Sequence, residues 1–144
     1  MKRKIMVVDD EYTIRELVSM SLEPYYDVIK AEDGTIALNM IKDKKPDLVI
    51  LDIMMPKVDG YEVCRRLKAN SETEKIPIIM LTAKHQEADL KRAIDVNVDE
   101  YITKPFEPDV LKRRVDAYFS QRATQRKLFK YGKSMHYIRG SDLA

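Results

Sequence analysis

LVILDIMMPKVDGYE, residues 48–62, opens on four large aliphatic residues and then stops at an acid, Asp52. An unbroken apolar run too short for a helix reads as a strand buried on both faces, the habit of a parallel sheet packed between helices. An acid at the carboxyl end of such a strand stands where open α/β sheets place their chemistry. Acids also begin loops for no functional reason, so the rest of the chain has to decide.

Four more short apolar runs recur, at residues 5–8, 28–31, 78–81 and around 101–102, most of them rich in Val or Ile. These predict strands. Between them apolar residues fall at three- and four-residue spacing: Ile14, Leu17, Val18 and Leu22; Ile36, Met40 and Ile41; Cys64 and Leu67; Leu90 and Ile94; Leu111, Val115 and Phe119. That spacing predicts helices. Breakers separate the segments at Pro24, Gly34, Pro46, Pro56, Gly60, Pro77 and Pro105. The order βα repeated five times implies a parallel sheet with right-handed crossovers and helices on both faces.

A chain of 144 residues holds one domain with a real core, and its 44% hydrophobic content excludes wholesale disorder. No run is long and apolar enough for a membrane span, and the opening MKRKIMVVDDE lacks the apolar stretch of a signal peptide. The one cysteine, Cys64, excludes an intrachain disulfide framework, so the expected location is cytoplasmic. From Ser120 onward six bases (Arg122, Arg126, Lys127, Lys130, Lys133, Arg139) face one acid, Asp142; taken from totals of 26 and 24, this leaves 20 bases and 23 acids in residues 1–119. That break divides the chain into a body, 1–119, and a basic extension, 120–144. The extension is expected to prolong the last helix as far as Tyr131, before Gly132, with little fixed structure beyond.

If the five strands lie parallel, their carboxyl ends line up along one edge. Asp9 and Asp10 follow the first strand, Asp52 ends the third, Thr82 ends the fourth and Lys104 follows the fifth, so these side chains converge on one cleft. Three clustered carboxylates without His or Cys suit a hard cation, Mg²⁺ first, with Mn²⁺ as an alternative. A carboxylate can attack phosphorus to give an acyl phosphate, and Lys104 and Thr82 could hold the oxygens of the transferred group.

VVDDE, LDIMMPKVDG, IIMLTAK and YITKPF, in this order, strongly resemble the receiver domain of bacterial two-component response regulators over roughly residues 3–119. The resemblance implies a flavodoxin-like, chemotaxis-regulator-like fold with strand order 2-1-3-4-5. It implies Asp52 as phosphoacceptor, and Asp9, Asp10, Asp52 and the Met54 backbone carbonyl as metal ligands. It implies Thr82 and Tyr101 as switch residues, Lys104 as phosphate contact, a cis Lys104–Pro105 bond, and Met54 and Lys84 as tuners of phosphoryl lifetime.

Plainer readings stand beside these. Asp9–Asp10 could simply begin a helix, and Tyr101 could be an ordinary strand aromatic. Asp59–Gly60 reads as turn chemistry, the glycine supplying a required backbone angle. Met54–Met55 reads as a loop contact, Cys64 as a small buried hydrophobe, and His85 and His136 as having no site role. The basic, aromatic-bearing tail is read as a solvated helix extension in preference to a nucleic-acid or acidic-partner surface.

Asn97–Val98 replaces the family's usual Gly-Ala, a place where Asn tolerates a left-handed backbone. Val110 and Ser120 replace charged residues used by the dimers of winged-helix regulators, while Arg114 matches. The expected state is therefore a monomer or a weak phosphorylation-dependent dimer.

The resulting expectation is a switch, not an enzyme beyond its own phosphorylation and dephosphorylation. It takes its phosphoryl group from a sensor histidine kinase or phosphotransfer protein and controls an output protein docking on helix four, strand five and helix five. No nucleic-acid or membrane partner is expected for this chain alone. One alternative is the N-terminal receiver of a longer DNA-binding or cyclic-dinucleotide regulator. Another is an aspartate-nucleophile phosphatase, disfavoured because such enzymes place a second acid where Met54 stands.

Overall fold

The computed structural model describes residues 2–83 and 98–130, with side chains to residue 120. The predicted helix at Leu90 and Ile94, together with Lys84, His85, Asn97 and the tail from Tyr131, lies outside the described residues. The elements run β1 (Lys4–Val8), α1 (Tyr12–Leu22), β2 (Asp27–Ala31), α2 (Gly34–Lys44), β3 (Leu48–Asp52), α3 (Gly60–Lys68), β4 (Ile78–Thr82), β5 (Glu100–Thr103) and a C-terminal helix (Pro108–Lys130). The sheet is parallel throughout, in the order β2-β1-β3-β4-β5. Both the fold class and the strand order agree with expectation.

Because successive strand residues point to opposite faces, each apolar run feeds two cores. Met6, Val8, Val49, Leu51, Ile78 and Met80 pack with α2 and α3. Ile5, Val7, Leu48, Ile50, Ile79 and Leu81 pack with α1 and the C-terminal helix. The central strand β3 is buried at all five positions, which is why its sequence shows no polar alternation. Cys64 sits in the first core, and burial pushes its thiol up to about 11, leaving it an inert hydrophobe.

Two of the helices, α2 and α3, start where the sequence supplies a capping acid. Asp33 accepts the Ile36 N–H at 2.8 Å to begin α2, and Asp59 accepts the Glu62 N–H at 2.9 Å to begin α3. The Gly60 expectation is corrected. Its backbone is not in the left-handed region; what it supplies is space. A Cβ there would lie 2.3 Å from the Asp52 carbonyl oxygen and 2.8 Å from the Ile53 Cα. The first turn of α3 therefore rests directly on the backbone of the strand end below it.

α2 ends on a left-handed residue, Lys45 (φ 49°, ψ 61°), whose N–H donates to the Ile41 carbonyl at 2.9 Å. This conformation strains a side-chain-bearing residue and suits glycine. Lys45 is exposed, so Lys45→Gly is expected to raise stability by about 0.5–1 kcal/mol after the greater freedom of the unfolded glycine is counted. Urea unfolding checks this, and a loss would show that the left-handed strain is relieved by some other contact.

The C-terminal helix buries Leu111, Val115, Tyr118 and Phe119. The Tyr26 hydroxyl donates to Asp116 at 2.5 Å, and Arg3 lies 4.2 Å above the Phe119 ring. The helix continues without a break to Lys130, so the change of charge at Ser120 falls inside a helix and not at its end.

Candidate metal centre

Asp9 follows β1 and is fully buried. One carboxylate oxygen accepts the Glu11 N–H at 2.9 Å and the other faces the Lys104 ammonium at 3.1 Å. Asp52, 3% exposed at the end of β3, accepts from the same ammonium at 3.2 Å. Asp10 is exposed, and one carboxylate oxygen from each of Asp9, Asp10 and Asp52 lies within 4.8 Å of the others. Lys104 reaches this point because β5 runs beside β4 and the Lys104 N–H donates to the Thr82 carbonyl. The Lys104–Pro105 bond is cis.

Asp9 does not begin α1: the N-cap is Glu11, which makes no side-chain cap. Its carboxylate instead orders the turn, and Arg15 clamps that turn from the helix by donating to the Asp9 carbonyl at 2.7 Å. Thr82 is buried at the end of β4, one residue beyond the Leu81 that pairs with Asp52. Tyr101 packs, half-buried, against the α2/α3 core that also holds Val98. Met54 is 75% exposed two residues beyond Asp52, whereas Met55 is buried. Arg114 donates to the buried carboxylate of Glu100 at 2.5 Å within the same chain.

Desolvation, reinforced by Asp9, raises the Asp52 carboxyl to about 7, although Lys104 works in the opposite direction. Burial also raises Asp9. Burial by itself would lower Lys104, but the Asp52 and Asp9 carboxylates prevail and raise it. One ammonium therefore serves two buried acids, leaving excess negative charge in an oxygen-lined cleft. Lys104→Met should push both carboxyls higher and lower stability by about 3 kcal/mol, since an ion pair lacking one partner strands a buried charge. Carboxyl-carbon NMR titration and urea unfolding check this; unchanged carboxyl titrations would show that Lys104 is not the compensating charge.

Sequence reasoning converged on the three acids, Lys104 and Thr82. It missed the steric role of Gly60, the backbone contact of Gly34 described below and the Arg15 clamp. Gly34 was legible only as a breaker and Gly60 only as a breaker and turn residue, and the direction of Arg15 depends on where α1 lies.

A family model for the response regulator receiver domain matches residues 5–116. The alkaline phosphatase synthesis transcriptional regulatory protein PhoP of Bacillus subtilis is 47% identical over 118 residues, covering 81% of this chain and 48% of that protein. The chemotaxis protein CheY4 of Vibrio cholerae superposes with a TM-score of 0.77 at 30% identity, covering 81% of this chain and 98% of that one. The Thermotoga maritima regulator DrrB, an OmpR/PhoB homologue, gives a TM-score of 0.77 at 32% identity over 85% of this chain and 54% of its own. The chain spans about half the length of the curated relatives it matches. On its motifs, its strand order and these matches, the chain belongs to the receiver domain family of two-component response regulators.

Proposed function

We propose that the chain is a phosphorylation-activated switch with Asp52 as acceptor. The observation that carries this reading is the buried Asp52 carboxylate, placed with Asp9, Asp10 and the Lys104 ammonium at the carboxyl edge of the sheet. The donors fit a hard divalent cation: all are oxygens, and their excess negative charge favours a positive guest. Asp9, Asp10, Asp52 and the Met54 carbonyl would hold Mg²⁺, or Mn²⁺ in its place. The ion would supply charge neutralisation for the transferring group.

The chain's own residues do the rest. Ionised Asp52, held rigid by β3, attacks phosphorus with one carboxylate oxygen as the donor's leaving group departs, giving an acyl phosphate. Lys104 then turns from carboxylate partner to phosphate partner, and the Thr82 hydroxyl offers a hydrogen bond to a second oxygen. Withdrawing Thr82 toward the phosphate would leave room for Tyr101 to shift, carrying the change to the surface of β5 and the C-terminal helix. Met54 and Lys84 would tune how readily water reaches the phosphoryl group. The protein would thus promote its own phosphorylation and dephosphorylation without turning over external phosphoesters.

The donor would be a sensor histidine kinase or phosphotransfer protein. The output partner would prefer the phosphorylated state, since a ligand shifts a two-state equilibrium only by differential affinity. The internal Arg114–Glu100 pair supports a monomer or weak dimer, because that arginine is already engaged. No described helix is long and apolar enough to cross a membrane, and the unbridged Cys64 fits the cytoplasm.

Incubation with Mg²⁺ and acetyl phosphate should add one phosphoryl group, acid-stable and base-labile, with acetate released. Intact mass and peptide mapping check this. An adduct mapped away from Asp52, or none with acetyl phosphate and a histidine kinase alike, would defeat the reading. A second reading, the receiver of a longer transcriptional regulator with residues 120–144 as the start of its linker, is favoured by the half-length match to PhoP. The size of the native protein on an immunoblot separates the two.

A further inference from the structure

The loop between β3 and α3 carries Met54, and its two ends are closed on each other by a hydrogen bond from the Gly60 N–H to the Ile53 carbonyl at 2.9 Å. Ile53 is tied in turn to the neighbouring strand, its N–H donating to the Leu81 carbonyl at 3.1 Å. Inside the loop, Ile53 and Met55 bury their side chains and Val58 packs on the same core, while Met54, Pro56 and Lys57 face outward. Lys57 turns the chain at φ 67°. A loop this short, closed at its base and pinned by three side chains, has little freedom to absorb a push in one place.

Gly34 delivers such a contact from another element. It is the first residue of α2, is buried, and comes from a part of the sequence without any acid of the centre. A Cβ at this position would lie 2.7 Å from the Val58 carbonyl oxygen and 2.8 Å from Val63 Cγ2. The first obstacle is backbone, so a rotamer change cannot relieve it.

We propose that Gly34 is a positioning residue of the metal centre: by letting α2 meet the β3–α3 loop at its backbone, it sets the place of the Met54 carbonyl. This rests on the reading of that carbonyl as a ligand. α2 thereby acts on the centre without touching metal or phosphate, and the two are linked in both directions, since a contact that aids the ion is aided by it.

The test compares the parent chain with Gly34→Ala and Val63→Ala. Val63 is fully buried on the same seam, so its truncation weakens the α2–α3 packing without pushing on the loop backbone. Mg²⁺ affinity is measured by calorimetry at low temperature, where all three chains are folded, and thermal unfolding is followed without Mg²⁺. Gly34→Ala is expected to weaken Mg²⁺ binding about tenfold, while Val63→Ala lowers the melting temperature with affinity within twofold of the parent. Equal affinity in Gly34→Ala and parent, or equal weakening in both variants, would overturn the proposal and leave Gly34 a packing residue. Should Gly34→Ala not fold, the parent alone decides: the Gly34 amide resonance must move with the Asp52 amide as Mg²⁺ is added, and a stationary Gly34 signal overturns the inference. A parent that binds no Mg²⁺ would instead defeat the metal reading itself.

Discussion

Asp52→Asn is expected to abolish the phosphoryl adduct and, without divalent cations at neutral pH, to make the folded chain more stable by about 2 kcal/mol. The two effects have one origin. Asp52 is buried beside Asp9, so its charged form is disfavoured and its carboxyl rises from an ordinary 3.8 to about 7. The folded state therefore holds that proton more tightly than the unfolded chain does, and ionising the group destabilises the fold. A tenfold change in proton affinity is worth about 1.4 kcal/mol, which sets an upper bound of about 4 kcal/mol. Burying the asparagine amide, whose N–H groups are imperfectly paired there, offsets about half of it.

The sign with pH follows. Below about pH 4 the group is neutral in both states of the parent, and variant and parent should be equally stable from this source. Between that point and about pH 7 the parent loses stability that the variant keeps, and above it the difference is complete. Added Mg²⁺ should narrow the gap by stabilising the parent more. Urea unfolding in chelator across this range, together with intact mass after acetyl phosphate, measures both effects. An adduct surviving in the variant would remove Asp52 as acceptor. A variant less stable than the parent at pH 7.5 would show that Lys104 outweighs burial and repulsion.

Gly60→Ala should lower stability by about 3 kcal/mol, a fall of roughly 10 °C in melting temperature, and slow adduct formation. Helix propensity alone predicts the opposite sign, since alanine is the better helix former by about 1 kcal/mol. Sterics should win because the new methyl would meet the Asp52 carbonyl oxygen at 2.3 Å and the Ile53 Cα at 2.8 Å, both backbone atoms. The helix must then lift or the strand end must shift, and a shift of the strand end displaces the acceptor. Thermal unfolding decides the sign, and a stability within about 1 kcal/mol of the parent would mean that α3 shifts freely and leaves the strand end in place.

Much of this was legible in the sequence because parallel strands buried on both faces write themselves as apolar runs. Residues 48–51 announced a central strand, and the acid after them announced the sheet edge. Asp9, Asp52 and Lys104 come together because every strand runs the same way, so ends far apart in sequence share one edge. The acids and the lysine gathered there could be named from residue type and position alone.

What the sequence could not show was contact between elements. Gly60 looked like a turn residue wanted for its angle, yet its absent side chain is what lets α3 rest on Asp52. Arg15 is an unremarkable helical arginine until α1 is laid beside β1, where it holds the turn bearing two of the acids. The charge of Asp52 depends on how deeply it is buried and on its distances to Asp9 and Lys104, none of which residue order reveals. By itself the sequence determined the described elements, their order and the chemical groups available, because periodicity and strand direction are local properties. Only the tertiary structure decided the close approaches and proton affinities, because steric exclusion and desolvation exist only once distant segments are pressed together.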